Sequence, residues 1–173
     1  VPLVKQLIST VLLGVLAMPV WAAESDEFWF ARAGILAENK PQMEPLKIIS
    51  LTYGHNVSRD TSFELDAFSG IGSSVASKGD GTMSVSGVSG FITKRVVLSQ
   101  AAYLKGKLGG AMLDKRFSAS LNDYSGTKFS FIPGVGAGTV YHGGQFRRLI
   151  VEAEISRLDA DSFIATLGVH LKF

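Results

Sequence analysis

From Glu24 onward apolar and polar residues alternate one for one over long stretches. That period of two constrains the chain most, because only a β-strand sends successive side chains to opposite faces. In the C-terminal stretch Phe163, Ala165, Leu167, Val169, Leu171 and Phe173 share one face, and Thr166, Gly168, His170 and Lys172 share the other. Leu149, Val151, Ala153 and Ile155 alternate with Arg148, Glu152 and Glu154, and Phe63, Leu65 and Ala67 with Glu64 and Asp66. Eight such segments are predicted, at about 27–36, 46–56, 61–72, 83–94, 99–112, 127–140, 146–157 and 162–173. Each is long enough to cross a bilayer as a tilted strand, for which roughly 9–11 residues suffice.

The connections alternate as well. Those near 37–45, 73–82 and 113–126 are long and rich in charged and small residues, whereas 57–60, 95–98 and 141–145 are short. Long on one side and short on the other is the pattern of an outer-membrane barrel, with the tight turns toward the periplasm. The connection at 158–161 departs from it, being short where a long one is expected. With 173 residues, 46% hydrophobic, 19 Gly and no Cys, the chain suits one domain and excludes a disulfide scaffold. A net charge of +2, from 17 Lys and Arg against 15 Asp and Glu, supplies no basic stripe, so no nucleic-acid partner is expected.

Residues 1–22 read as a cleaved signal peptide, leaving 23–173 as the barrel domain. Lys5 precedes an apolar stretch from Leu7 to Met18, followed by Pro19 and a small-residue site ending at Ala22. The apolar core is too short for a membrane anchor, and the absence of Cys at the cleavage point excludes a lipoprotein.

Magnitudes decide which face meets lipid. A Lys or Arg aimed at the bilayer midplane costs roughly 2–4 kcal/mol. Arg32, Glu64, Asp66, Lys105, Lys107, Arg148, Glu152, Glu154 and Lys172 are therefore assigned to the lumen as an ion-pair network, with Leu104 and Leu108 facing lipid. Eight strands enclose a space just wide enough to be filled by side chains, so a packed polar core is expected in place of a channel. Trp29, Tyr53, Phe63, Phe91, Tyr103, Phe146, Phe163 and Phe173 fall near predicted strand ends, as an interfacial aromatic girdle would. Three features fit less well. Pro133 lies inside a predicted strand, an inward Arg32 brings Phe28 and Phe30 to the same face, and Ser84–Phe91 has too little contrast to orient.

The signal peptide, the segments Pro133–Thr139 and Ala102–Ala111, and the terminal Phe173 after alternating hydrophobics together resemble the small eight-stranded outer-membrane β-barrels, of the OmpA/OmpX-like and opacity-protein-like type. The resemblance implies that Leu167, Val169, Leu171 and Phe173 form an insertion signal for the barrel-assembly machinery. It says little about activity, since the architecture hosts adhesins, anchors, narrow pores and a few lipid-modifying enzymes.

A search for chemistry returns little. His55, His142 and His170 are not spaced as metal ligands, and none is followed two residues later by Ser, as a lipid A deacylase would require. Only a few residues separate Ala22 from Phe28, too few for the amphipathic helix of a palmitoyltransferase-type barrel. Gly134, Gly136 and Gly138 recur at strand spacing and no helix follows, so they make room for bulky neighbours and do not form a phosphate loop. The expected protein is a monomeric, non-catalytic structural or surface-interaction barrel without a cofactor, in contact with outer-membrane lipid and lipopolysaccharide. A small porin-like channel is the alternative, and a lipid A-modifying enzyme the third reading. Lys115, Arg116, Phe117 and Tyr124 are the candidate contacts for an extracellular ligand, on the longest predicted loop.

Overall fold

A computed structural model describes residues 27–39, 44–72, 74–75, 81–118, 124–143 and 146–172. Residues 1–26, which include the expected signal peptide, lie outside the described residues, as does Phe173. The alternating segments become eight long strands: β1 (Glu27–Glu38), β2 (Leu46–Asn56), β3 (Thr61–Gly70), β5 (Thr82–Val97), β6 (Ala102–Ser118), β7 (Tyr124–Gly143), β8 (Phe146–Arg157) and β9 (Ser162–Lys172). A two-residue strand, β4 (Ser74–Val75), pairs with the start of β5.

Every long strand is antiparallel to its neighbours, and the sheet closes on itself because β1 pairs with β9 as well as with β2. Register follows from burial. A slip of one residue would carry every charge to the outside. Outward positions form an apolar belt that includes Leu65, Leu104, Leu108, Val135, Ile155 and Leu167, each about half exposed or more. Inward positions hold buried Arg32, Glu64, Lys105, Lys107, Glu152 and Glu154. A charged inside within an apolar outside is the reverse of a soluble protein, and it is stable where the surroundings are hydrocarbon. No described helix is long and apolar enough to cross a membrane.

The strands are unequal, and this resolves Pro133. β7 has 20 residues and β8 only 12, and their ladder begins at Gly134 opposite Ser156. Pro133 is thus the first residue of β7 beyond that ladder, where a missing N–H is tolerated. The segment expected as the third long loop, 113–126, is mostly strand, since β6 continues to Ser118 and β7 starts at Tyr124. The alternation persists through Leu113, Lys115 and Phe117, but three adjacent charges, Asp114, Lys115 and Arg116, mask it.

The interior has three layers. Toward the end where residues 57–60 and 98–101 turn, Phe28 and Phe30 do face inward, with their rings 5.7 and 4.9 Å from that of His170. They border a vestibule of about 390 Å³ that also reaches Arg95 and Tyr103. The charged layer is central. Toward the opposite end the lumen is mainly apolar, filled by Leu36, Leu46, Ile48, Met83, Leu113 and Leu158, so the charged part of the packed core is its middle. Phe91 and Tyr103 are buried in the lumen and are not part of the girdle, whereas Trp29, Tyr53, Phe63 and Phe163 are on the outward parity. The unoriented strand turns Val85, Ser89 and Phe91 inward.

Candidate functional site

The central layer gathers charge from five strands. Arg32 on β1 donates from Nη2 to Glu152 Oε1 of β8 at 2.7 Å and from Nη1 to Thr52 Oγ1 of β2 at 2.6 Å. The Thr52 hydroxyl in turn donates to Asp66 of β3 at 2.7 Å. Lys105 Nζ on β6 sits among Glu64 at 2.9 Å, Glu152 at 2.8 Å and Glu154 at 3.0 Å. Tyr103 donates to Glu152 Oε2 at 2.7 Å, and Lys107 is paired with Glu154. Arg95 of β5 closes the array on Glu64 at 3.2 Å.

The array comprises four cations, Arg32, Arg95, Lys105 and Lys107, and four anions, Glu64, Asp66, Glu152 and Glu154, so its formal charges cancel. Cancellation is what a sealed, low-dielectric lumen demands, since a lone buried charge costs several kcal/mol. Glycines make the room. A Cβ on Gly134 would come within 2.7 Å of the Lys107 side chain, and one on Gly138 would overlap the Tyr103 ring.

Seven of the nine residues assigned to the lumen come together here. Arg148 and Lys172 face each other across β8 and β9, and their side chains lie outside the described residues. Arg95 joins the seven without being among the nine. It lies one residue past the predicted end of its strand, on the inward parity of Phe91.

Space argues about chemistry. The void bordered by Arg32, Asp66, Lys107 and Glu154 is about 20 Å³, room for one water. Glu152 and Glu154 share a face and are each held by cations, and the void that Glu154 borders is too small for a substrate. No described group of His, Asp or Glu is arranged to hold a metal ion.

The loop contacts expected from the sequence are placed differently. Lys115 turns inward and spans the mouth of the barrel, donating to Glu38 at 3.1 Å, Asp159 at 2.7 Å and Ser162 at 2.9 Å. Phe117 packs on the apolar layer and Arg116 lies 3.4 Å from Asp114. The Tyr124 side chain lies outside the described residues. Of the assembly-signal positions, Leu167 and Val169 face outward, and the Leu171 side chain and Phe173 lie outside the described residues.

The Lys115 ammonium, the Ser162 hydroxyl and the Asp161 backbone N–H together hold the Asp159 carboxyl at about 2, below its ordinary 3.8. A depressed carboxylate contributes stability that is present above about pH 4 and lost as pH falls through 2. Acidification over that window should lower the unfolding free energy measured by urea titration, by about 1 kcal/mol after solvent screening. Asp159→Asn should flatten the response, and an unchanged pH profile in that variant would remove Lys115 as a clasp.

No protein-family model matches the sequence, nor does any curated protein. Solved structures do resemble the fold. Neisserial surface protein A (NspA) superposes with a TM-score of 0.60 at 12% identity, over 86% of this chain and 98% of that one. Ail, the attachment invasion locus protein of Yersinia pestis, gives 0.57 at 16%, over 85% and 97%. The N-terminal β-barrel domain of Pseudomonas aeruginosa OprF gives 0.56 at 14%, over 86% and 98%. At these identities the likeness is one of fold, that of the small eight-stranded outer-membrane barrels.

Proposed function

We propose that this chain is an integral outer-membrane protein whose barrel does not conduct and does not catalyse, and which serves as a monomeric surface anchor or interaction protein. The observation that carries the reading is the lumen: four cations neutralised by four anions, all but Arg95 and Asp66 buried, with an apolar layer above them and a void of about 20 Å³ beside Arg32, Lys107 and Glu154. On this reading the end with the turns at 57–60 and 98–101 faces the periplasm, and Leu167 and Val169 belong to the assembly signal. The prolonged ends of β5, β6 and β7 stand on the extracellular side and carry the interaction role. Ail has been solved in complex with sucrose octasulfate, a heparin analogue. Here Lys115 is consumed by Glu38 and Asp159, and among the described residues Lys47 and Lys128 are exposed cations available to an anionic surface.

The expected results are recovery in the outer-membrane fraction as a heat-modifiable band and no reproducible conductance in planar bilayers. A steady open channel would replace this reading with a pore. An altered lipid A acyl pattern on expression, lost on changing Glu152, would replace it with an enzyme.

A further inference from the structure

The outer wall of the barrel is not evenly covered. Between two outward rows, one running through Tyr53, Leu65 and Gly90 and the other through Leu51, Ala67 and Met112, lies a groove of about 490 Å³. Its floor is low because Ala67 is small and Gly90 bears no side chain, while across β6 the Phe129 ring lies over Gly110 and forms a wall of the groove. Backbone conformation does not explain the glycines, since the one described glycine with positive φ is Gly72.

The inward glycines show what such positions do in this molecule. Gly54 receives the Phe28 ring, Gly138 the Tyr103 ring and Gly168 the Arg32 chain. Gly90 receives nothing of comparable size. A Cβ there would meet Leu65 Cδ2 at an ordinary 3.5 Å, so the barrel's own packing does not require its absence. Glycine in a strand interior is unfavourable, and it marks places where another molecule approaches closely. Left empty, the groove would forfeit dispersion contacts along its length, and its apolar walls offer water few partners.

We infer that the groove seats one acyl chain of a bilayer phospholipid with a zwitterionic, ammonium-bearing head, anchored beside Glu27. The inference rests on the membrane reading above, because the groove is continuous with the lipid-facing belt. The polar end of the groove decides the head group. There the Trp29 and Tyr53 rings lie 4.9 Å apart, and Tyr53 is hydrogen-bonded to Glu27. An aromatic pair of this kind sits at headgroup level. The Glu27 carboxylate attracts an ammonium and repels a purely anionic head. Glu27 opens β1 at the end read as periplasmic, so the lipid belongs to that leaflet.

The test uses the full chain purified from membranes in mild detergent, then delipidated and offered phosphatidylethanolamine or phosphatidylglycerol with identical chains, with occupancy read by native mass spectrometry. Phosphatidylethanolamine should bind at about one per barrel, and Gly90→Leu, which fills the groove, should weaken it at least tenfold, about 1.4 kcal/mol. Gly106→Leu is the control, on an outward position with nothing within 4 Å, and should leave binding unchanged. Glu27→Gln should abolish the preference between the two heads. Equal binding by wild type and Gly90→Leu, equal loss in Gly106→Leu, or occupancy by lipopolysaccharide or a second copy instead would each overturn the assignment. A chain found outside the outer membrane would defeat the earlier reading, whereas a chain correctly placed there without a retained lipid would defeat only this one.

Discussion

Glu152→Ala should destabilise the barrel by about 3–5 kcal/mol, the range expected when one partner of a buried ionic cluster is removed. Glu152 is fully buried and serves three donors at once: Arg32 and Lys105 on one oxygen and Tyr103 on the other. Its loss leaves four cations facing three anions in a lumen with almost no water. Arg32 and Lys105 retain Glu64 and Glu154, which keeps the effect below that of an isolated charge. Urea titration of the barrel in lipid vesicles, followed by its heat-modifiable band, measures the change. A second measurement separates charge from packing. Lys105→Met combined with Glu152→Leu removes one charge of each sign, and should be less destabilising than the sum of the two single changes, with a coupling of about 1–3 kcal/mol. A single change within 1 kcal/mol of wild type would mean that water reaches the cluster and that the lumen is not sealed.

The charges in that cluster could be read from the sequence because one rule governed them: a charge cannot face lipid, so parity alone sends Glu64, Asp66, Glu152 and Glu154 inward. The converse rule is weaker. Apolar residues are tolerated on both sides of the wall, so hydropathy alone does not place Phe28, Phe30, Phe91 or Leu113, nor reveal the apolar layer at the mouth. An aromatic opposite a glycine does not settle the side either, since Tyr103 faces Gly138 in the lumen while Phe131 faces Gly110 on the lipid side. Lys94 and Arg95 illustrate the other difficulty. They are adjacent and alike, yet Lys94 points out to meet Asp60 while Arg95 points in to meet Glu64. At strand ends a charge is allowed on either face, and only register decides. Nothing local places Lys115 at the mouth either, since its carboxylate partners at 38 and 159 are remote in sequence.

Gly34→Val should prevent the barrel from closing at all, an effect beyond the 4–5 kcal/mol that marks exceptional substitutions. Gly34 lies on β1 opposite Thr166 of β9, in the ladder that joins the two ends of the barrel from Ala31 and Val169 to Glu38 and Ser162. A Cβ at this position would overlap the Ala165 carbonyl oxygen and approach Thr166 Cα to 2.8 Å. Both obstacles are backbone, so no rotamer change relieves them. Overpacking against movable side chains typically costs about 1–3 kcal/mol. Here the alternative is to part the strands. Parting them opens two edges whose N–H and C=O groups have no partner in hydrocarbon, each costing several kcal/mol. This seam is also the pairing most distant in sequence, so no local contact formed earlier can compensate for its loss. The expected outcome is a chain that migrates as unfolded with or without heating, while Gly106→Val, outward and free of neighbours, gives the normal folded band. A folded, heat-modifiable Gly34→Val protein of wild-type urea midpoint would show that β1 and β9 can meet in another register, and that burial does not fix the pairing at the seam.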